Sequence, residues 1–189
     1  TPTQESTGAT TWSAIAADAW HTVALKSDGT LWAWGYNSSG QVGDGIYGDS
    51  HIPTQIGSAT NWSAIAAGAY HTVALKGDGT LWAWGSNGAG SLGDGTIDDK
   101  NEPIQIGVST DWSAIAAGPD LTIALKSDGT LWTWGRNNAG QLGNGTNNNK
   151  YIPTRESTGA ADWSAIATGG SHTVALKTDG TLWSWGSNR

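Results

Sequence analysis

Polar and apolar residues alternate in short runs along this chain. Residues 21–35, HTVALKSDGTLWAWG, show the pattern best: two runs rich in β-branched and aromatic residues flank Asp28-Gly29. An Asp-Gly pair between such runs predicts a hairpin closed by a two-residue type I′ turn. That turn pairs Ser27 with Thr30, Leu25 with Trp32 and Val23 with Trp34. Side chains alternate across a strand, so Val23, Leu25, Trp32 and Trp34 make a bulky face. Thr22, Ala24, Leu31 and Ala33 make a smaller one. Both faces are largely apolar, so each hairpin is expected to be covered on both sides, the bulky face of one unit on the smaller face of the next. No stretch has the period of an amphipathic helix.

The pattern repeats. WSAIA begins at Trp12, Trp62, Trp112 and Trp163, at spacings of 50, 50 and 51. Each unit continues through T-V/I-A-L-K-x-D-G-T-L-W-x-W-G-x-N, a Gly-rich run and a segment such as PTQI. WSAIAA reads as a further strand whose small residues suit a crowded position near an axis. PTQI reads as a short outer strand, where an edge tolerates its Pro. Four short strands in about 50 residues is the signature of a β-propeller. The expectation is an all-β fold of four-stranded antiparallel blades, about four in this chain. They fall near 12–57, 62–107, 112–157 and 163–186 of one repeat domain spanning 1–189.

Composition narrows the function classes. Gly makes up 28 of 189 residues and Trp 13, with no Phe, Met or Cys. A net charge of −7 disfavours nucleic acid and anionic membrane, which need clustered Lys and Arg. No apolar run approaches the ~20 residues of a membrane helix. Without Cys there are no disulfides or thiolate sites. The absence of Cys says little about compartment, which stays open, with a bacterial secreted or cell-surface setting slightly favoured.

Gly68, His71, Asp78, Gly79, Trp84, Gly85, Asn87, Gly90, Leu92, Gly93 and Gly95 fall in an order that resembles the regulator of chromosome condensation repeat. The resemblance covers essentially the whole chain. It implies a propeller of about seven blades, and members that work mostly as interaction platforms. Some promote nucleotide exchange on a small GTPase, and related bacterial propellers inhibit β-lactamases. This chain departs from the pattern in unit number, in Leu121 where other units have His21, His71 and His172, and in lacking an insertion like the exchange wedge. The first residues resemble 152–163, and the last unit stops after its third strand. Residues 1–5 are therefore expected to serve as the missing outer strand by Velcro-type closure, or the chain is a fragment of a longer array, the favoured expectation. Exchange of terminal strands between two chains is a further expectation.

Candidate chemistry reduces to binding. His21, His71 and His172 start equivalent strands in separate units, so a structural role with a backbone partner is expected over a zinc site. GDGIYGDS, GDGTIDDK and GNGTNNNK lack the acidic spacing of a calcium loop and read as turns. Asp28, Asp78, Asp128 and Asp179 are turn residues. No Ser-His-Asp set stands out, so no enzyme, cofactor or metal is expected. Asn37, Asn61 and Asn144 head formal glycosylation sequons.

What varies among units is free for recognition. One variable site precedes the His position: Asp18 to Trp20, then Tyr70, Asp120 and Ser171. A second follows W-x-W-G: Tyr36, Ser86, Arg136 and Ser187. A third is the long loop, with Tyr47, Asp49 and His51, then Ile97, Asp98 and Asp99, then 147–151. Loops at one end of a rigid scaffold commonly carry binding, and Trp, Tyr and Arg are typical anchors. The candidate binding residues are therefore Asp18, Trp20, Tyr36, Tyr70, Asp120, Arg136 and Ser171. The expected function is a non-enzymatic propeller module presenting loops to a protein partner. The alternatives are a carbohydrate-binding surface and a purely structural array.

Overall fold

The computed structural model describes residues 3–188, which form fifteen β-strands and no helix. The first blade comprises β1 (Trp12–Ala17), β2 (His21–Lys26), β3 (Leu31–Gly35) and β4 (Ser50–Gln55). The second comprises β5 (Trp62–Ala67), β6 (His71–Lys76), β7 (Leu81–Gly85) and β8 (Lys100–Gln105). The third comprises β9 (Trp112–Ala117), β10 (Leu121–Lys126), β11 (Leu131–Gly135) and β12 (Lys150–Arg155). The last has β13 (Trp163–Thr168), β14 (His172–Lys177) and β15 (Leu182–Gly186). Each is an antiparallel sheet in sequence order, four-stranded in the first three blades and three-stranded in the last. Thr1 and Pro2, part of the expected closing strand, lie outside the described residues; Thr3, Gln4 and Glu5 form no strand.

The hairpin register differs from the expected one by one residue. Leu25 faces Leu31, Val23 faces Ala33 and Thr22 faces Trp34. Gly29 donates its N–H to the Lys26 carbonyl at 2.9 Å, and Lys26 donates to the Thr30 carbonyl at 3.0 Å. Gly29 has φ +77°, whereas no non-glycine residue among the described residues has positive φ. A type I′ turn needs positive φ at both central residues, so Asp28 cannot sit in one. The loop is instead Ser27-Asp28-Gly29, a type I turn followed by a left-handed glycine. The Asp28 carboxylate fastens it, accepting the Thr30 N–H at 3.0 Å and hydroxyl at 2.6 Å.

A one-residue slip exchanges the faces of a strand, and the bulky and small faces are corrected accordingly. Val23, Leu25, Leu31 and Ala33 share one face; Ala24, Trp32 and Trp34 share the other, with Thr22. The second face sets the two tryptophans of β3 against the small Thr22 and Ala24 of β2, whereas the first is aliphatic on both strands. The first face packs on the second face of the following blade. Val23, Leu25, Leu31, Ala33, Val42 and Ile56 thus form one core with Trp62, Ala74 and Trp84. The same set recurs from Val73, Leu75 and Leu81 to Trp112, Ala124 and Trp134, and from Ile123, Leu125 and Leu131 to Trp163 and Ala175.

These cores lie between blades rather than within one, which is why both faces of a middle sheet are apolar. The first strands β1, β5, β9 and β13 approach one another in sequence order, as expected of small residues near an axis. Among the described residues, no core joins the first blade to the last, and the four blades form an open arc. Leu182 is 71% exposed, whereas its equivalents Leu31, Leu81 and Leu131 are fully buried.

Candidate functional site

At one end of every blade, two loops meet. The loop after β3 begins by donating an N–H to the turn between β1 and β2: Tyr36 to the Trp20 carbonyl at 2.9 Å, Ser86 to Tyr70 at 2.7 Å, Arg136 to Asp120 at 2.9 Å and Ser187 to Ser171 at 2.8 Å. Gly35, at φ +115°, permits this approach, because a Cβ there would strike the Trp20 carbonyl and the His21 Cα. Two variable positions sixteen apart in the sequence are therefore one surface couple in each blade.

The couples differ in chemistry. In the first blade Trp20 and Tyr36 are both exposed, with ring centroids 6.1 Å apart. Tyr70 of the second blade joins them, 6.4 Å from Trp20 in a stacked arrangement and 6.3 Å from Tyr36 edge-on. In the third blade Arg136 meets the Asp120 carboxylate at 2.8 Å. Ser171 and Ser187 leave the last couple small and uncharged. Asp18 is exposed in the turn that carries Trp20 and has no ion-pair partner among the described residues. Of the seven sequence candidates, Trp20, Tyr36 and Tyr70 form one cluster, Asp120 and Arg136 a second, and Ser171 and Asp18 join neither. Spacing alone could not show that the first and second variable sites touch; the W-G pair before the second was the only signal that the chain bends there.

The third variable site is partly scaffold. Asp49, Asp99 and Asn149 each accept the backbone N–H of Asn37, Asn87 or Asn137, at 2.9, 2.8 and 3.0 Å. Those asparagines are fully buried. The Asn37 amide group shares its protons among the Asp44 carboxylate and the carbonyls of Ile46 and Gly48, while its oxygen accepts the Val42 N–H at 2.9 Å. The Asp-to-Asn change among units keeps an oxygen acceptor and so preserves one loop architecture. Burial also withdraws Asn37 from glycosylation in the folded chain.

His21 and His71 lie on the seams between blades. His21 Nε2 is 2.8 Å from the Thr72 hydroxyl, and His71 Nε2 is 3.0 Å from that of Thr122. Each hydroxyl donates back to the preceding blade, Thr72 to the Gln41 carbonyl at 2.8 Å and Thr122 to the Ser91 carbonyl at 2.7 Å. The hydroxyl proton is thereby engaged, so the imidazole carries its proton on Nε2 and donates. The partner is a side-chain hydroxyl of the next blade, not the backbone group expected. Burial disfavours the charged ring: it pushes His21 down to about 4 and His71, helped by the nearby His21, to about 3. His172 is exposed, and Leu121 fills the position in the third blade. No three His, Asp or Glu side chains converge on a metal-sized site among the described residues.

The RCC1-like domain family model matches residues 1–189. Human WBSCR16 is similar at 26% identity and a TM-score of 0.82, covering 94% of this chain and 48% of that protein. Prp20p from Saccharomyces cerevisiae, whose structure was reported with its binding properties to Gsp1p and histones, is similar at 24% identity and a TM-score of 0.86. That match covers 98% of this chain and 48% of Prp20p. Yeast RCC1 (Prp20) bound to Kap60 gives the same identity and TM-score, covering 98% and 46%. The chain spans about half the length of each of these structures.

Proposed function

The chain belongs to the RCC1-like domain family, and from that premise we propose that it is a non-enzymatic interaction module whose loop end engages a protein partner. One observation carries the reading. In every blade two variable positions, the residue before the second strand and the residue after W-x-W-G, are hydrogen-bonded neighbours at the same end, while the three inner strands keep nearly one template. A rigid scaffold with a variable end is the arrangement binding proteins use. Trp20, Tyr36 and Tyr70 supply the anchor, since large rings cover much area at small entropic cost. A yeast protein of this fold binds Gsp1p, histones and Kap60, which supports protein as the partner class.

Photo-crosslinking tests the proposal. A benzophenone amino acid at Tyr36 should yield adducts with a discrete protein in extract of the producing organism, competed by unlabelled chain. The same group at Ser127, exposed at the opposite end, should yield none. Equal adducts from both positions, or none from either, would remove the loop end as the binding surface. Glycan-array binding without protein adducts would shift the assignment to carbohydrate.

A further inference from the structure

The chemistry around the aromatic cluster narrows the partner. Trp20, Tyr36 and Tyr70 touch one another at centroid distances of 6.1–6.4 Å, yet Trp20 stays 54% and Tyr36 39% exposed. Rings that only completed the fold would be covered, as Trp84 and Trp134 are. In the first two blades, the turns preceding the His positions and the loops joining the third and fourth strands carry six aspartates (Asp18, Asp44, Asp49, Asp94, Asp98 and Asp99) and no Lys or Arg, and Lys100 at the start of β8 offsets one of them, Asp94, at 3.6 Å. In the corresponding segments of the third blade, Asp120 is neutralised by Arg136, and the last blade's turn carries no charge. The negative charge and the exposed rings therefore share the same half of the loop end.

Ring faces carry negative quadrupole charge and attract cations, the flat guanidinium of Arg above all. Carboxylates at the same end of the blades add long-range attraction and steer a positive segment inward. A neutral apolar ligand would not need the acids, and an acidic one would be repelled. Resting on the loop-end reading above, we infer that the occupant of the Trp20–Tyr36–Tyr70 cluster is a basic, arginine-bearing segment of a partner protein, with a guanidinium over the rings and flanking positive charges against the aspartates.

The test is fluorescence anisotropy with short labelled peptides of alternating Gly-Arg, Gly-Lys, Gly-Glu and Gly-Ser. Gly-Arg should bind best, Gly-Lys more weakly and the other two not at all, with affinity falling as salt rises. Trp20→Ser/Tyr36→Ser/Tyr70→Ser should weaken Gly-Arg about ten-fold without lowering the melting temperature, since these rings lie outside the blade cores. If that variant melts early, Trp20→Ser alone serves. Asp18→Asn/Asp98→Asn should weaken binding and flatten its salt dependence, whereas Asp120→Ser/Arg136→Ser should leave it unchanged. Undiminished binding by the aromatic variant would reduce the effect to diffuse attraction by an acidic protein and overturn the inference. Absence of Gly-Arg binding while Tyr36 still crosslinks a protein would overturn the basic partner and leave the loop-end reading intact. Silence in both assays would remove both.

Discussion

Trp84 has no solvent exposure, and its indole N–H reaches the Gln41 carbonyl of the preceding blade at 2.9 Å. One side chain thus fills the seam and satisfies a buried acceptor. Trp84→Ala should lower the unfolding free energy by about 3–5 kcal/mol in urea denaturation. Trp84→Phe, which keeps most of the volume but loses the donor, should cost about 1–3 kcal/mol. His71 and His21 give the seams a pH response. Unfolded, each titrates near 6.5; folded, burial lowers them to about 3 and about 4. Between those values the unfolded chain binds protons that the folded chain does not. Stability is therefore full above pH 6.5 and falls with pH, by about 1.4 kcal/mol per pH unit for each imidazole. His71→Leu, the residue that the third blade already carries at Leu121, should roughly halve that slope when denaturation is followed from about pH 7 to about pH 4.5. An unchanged slope would mean that His71 is not the buried neutral group described.

At the scale of elements, the hairpin turn shows what sequence resolves and what it does not. The Asp-Gly pairs located all four turns, and the alternating runs located β2, β3 and their equivalents. The turn type was not legible. Asp-Gly suits both a two-residue I′ loop and the last two positions of a three-residue loop, and the choice lies with the neighbours. Thr80 donates twice to the Asp78 carboxylate, holding that carboxyl below the usual range. The Gly79 carbonyl receives the Trp112 N–H of the next blade at 3.2 Å. That second contact joins residues 33 apart, and no local pattern announces it. The difference of one residue reversed the assigned faces. Of Trp34, Trp84, Trp134 and Trp185, all expected to be covered by a neighbouring unit, Trp84 and Trp134 are fully buried, whereas Trp34 and Trp185 are half-buried. Gly79→Ala should destabilise by about 1–3 kcal/mol, since φ +78° is unfavourable for alanine and its Cβ would meet the Thr110 carbonyl. A melting temperature equal to that of the parent chain would contradict the turn geometry. The candidate surface was legible residue by residue, as variability against a fixed template. Its clustering was not, because the Trp20–Tyr70 contact depends on how two blades splay.

Across the whole molecule, equivalent residues have unequal surroundings. Leu131 is fully buried on the last blade, while Leu182, at the same template position, is 71% exposed. Leu131→Ser should therefore cost about 2–5 kcal/mol, as core truncations of leucine do; Leu182→Ser should change stability by only about 0.5 kcal/mol. Similar losses at both sites would mean that Leu182 is covered in solution. The seams themselves are interchangeable. His21 meets Thr72 as His71 meets Thr122, and Val42 lies by Trp84 as Leu92 lies by Trp134. Excising residues 62–111 would bring His21 to Thr122 and Val42 to Trp134, rebuilding the lost joint from parts already shaped for it. Cutting twenty or thirty residues instead would leave unmatched halves. Copy number in such a chain can change by recombination in whole units of about fifty residues with no new interface to invent, so that lineage length becomes a count rather than a continuum.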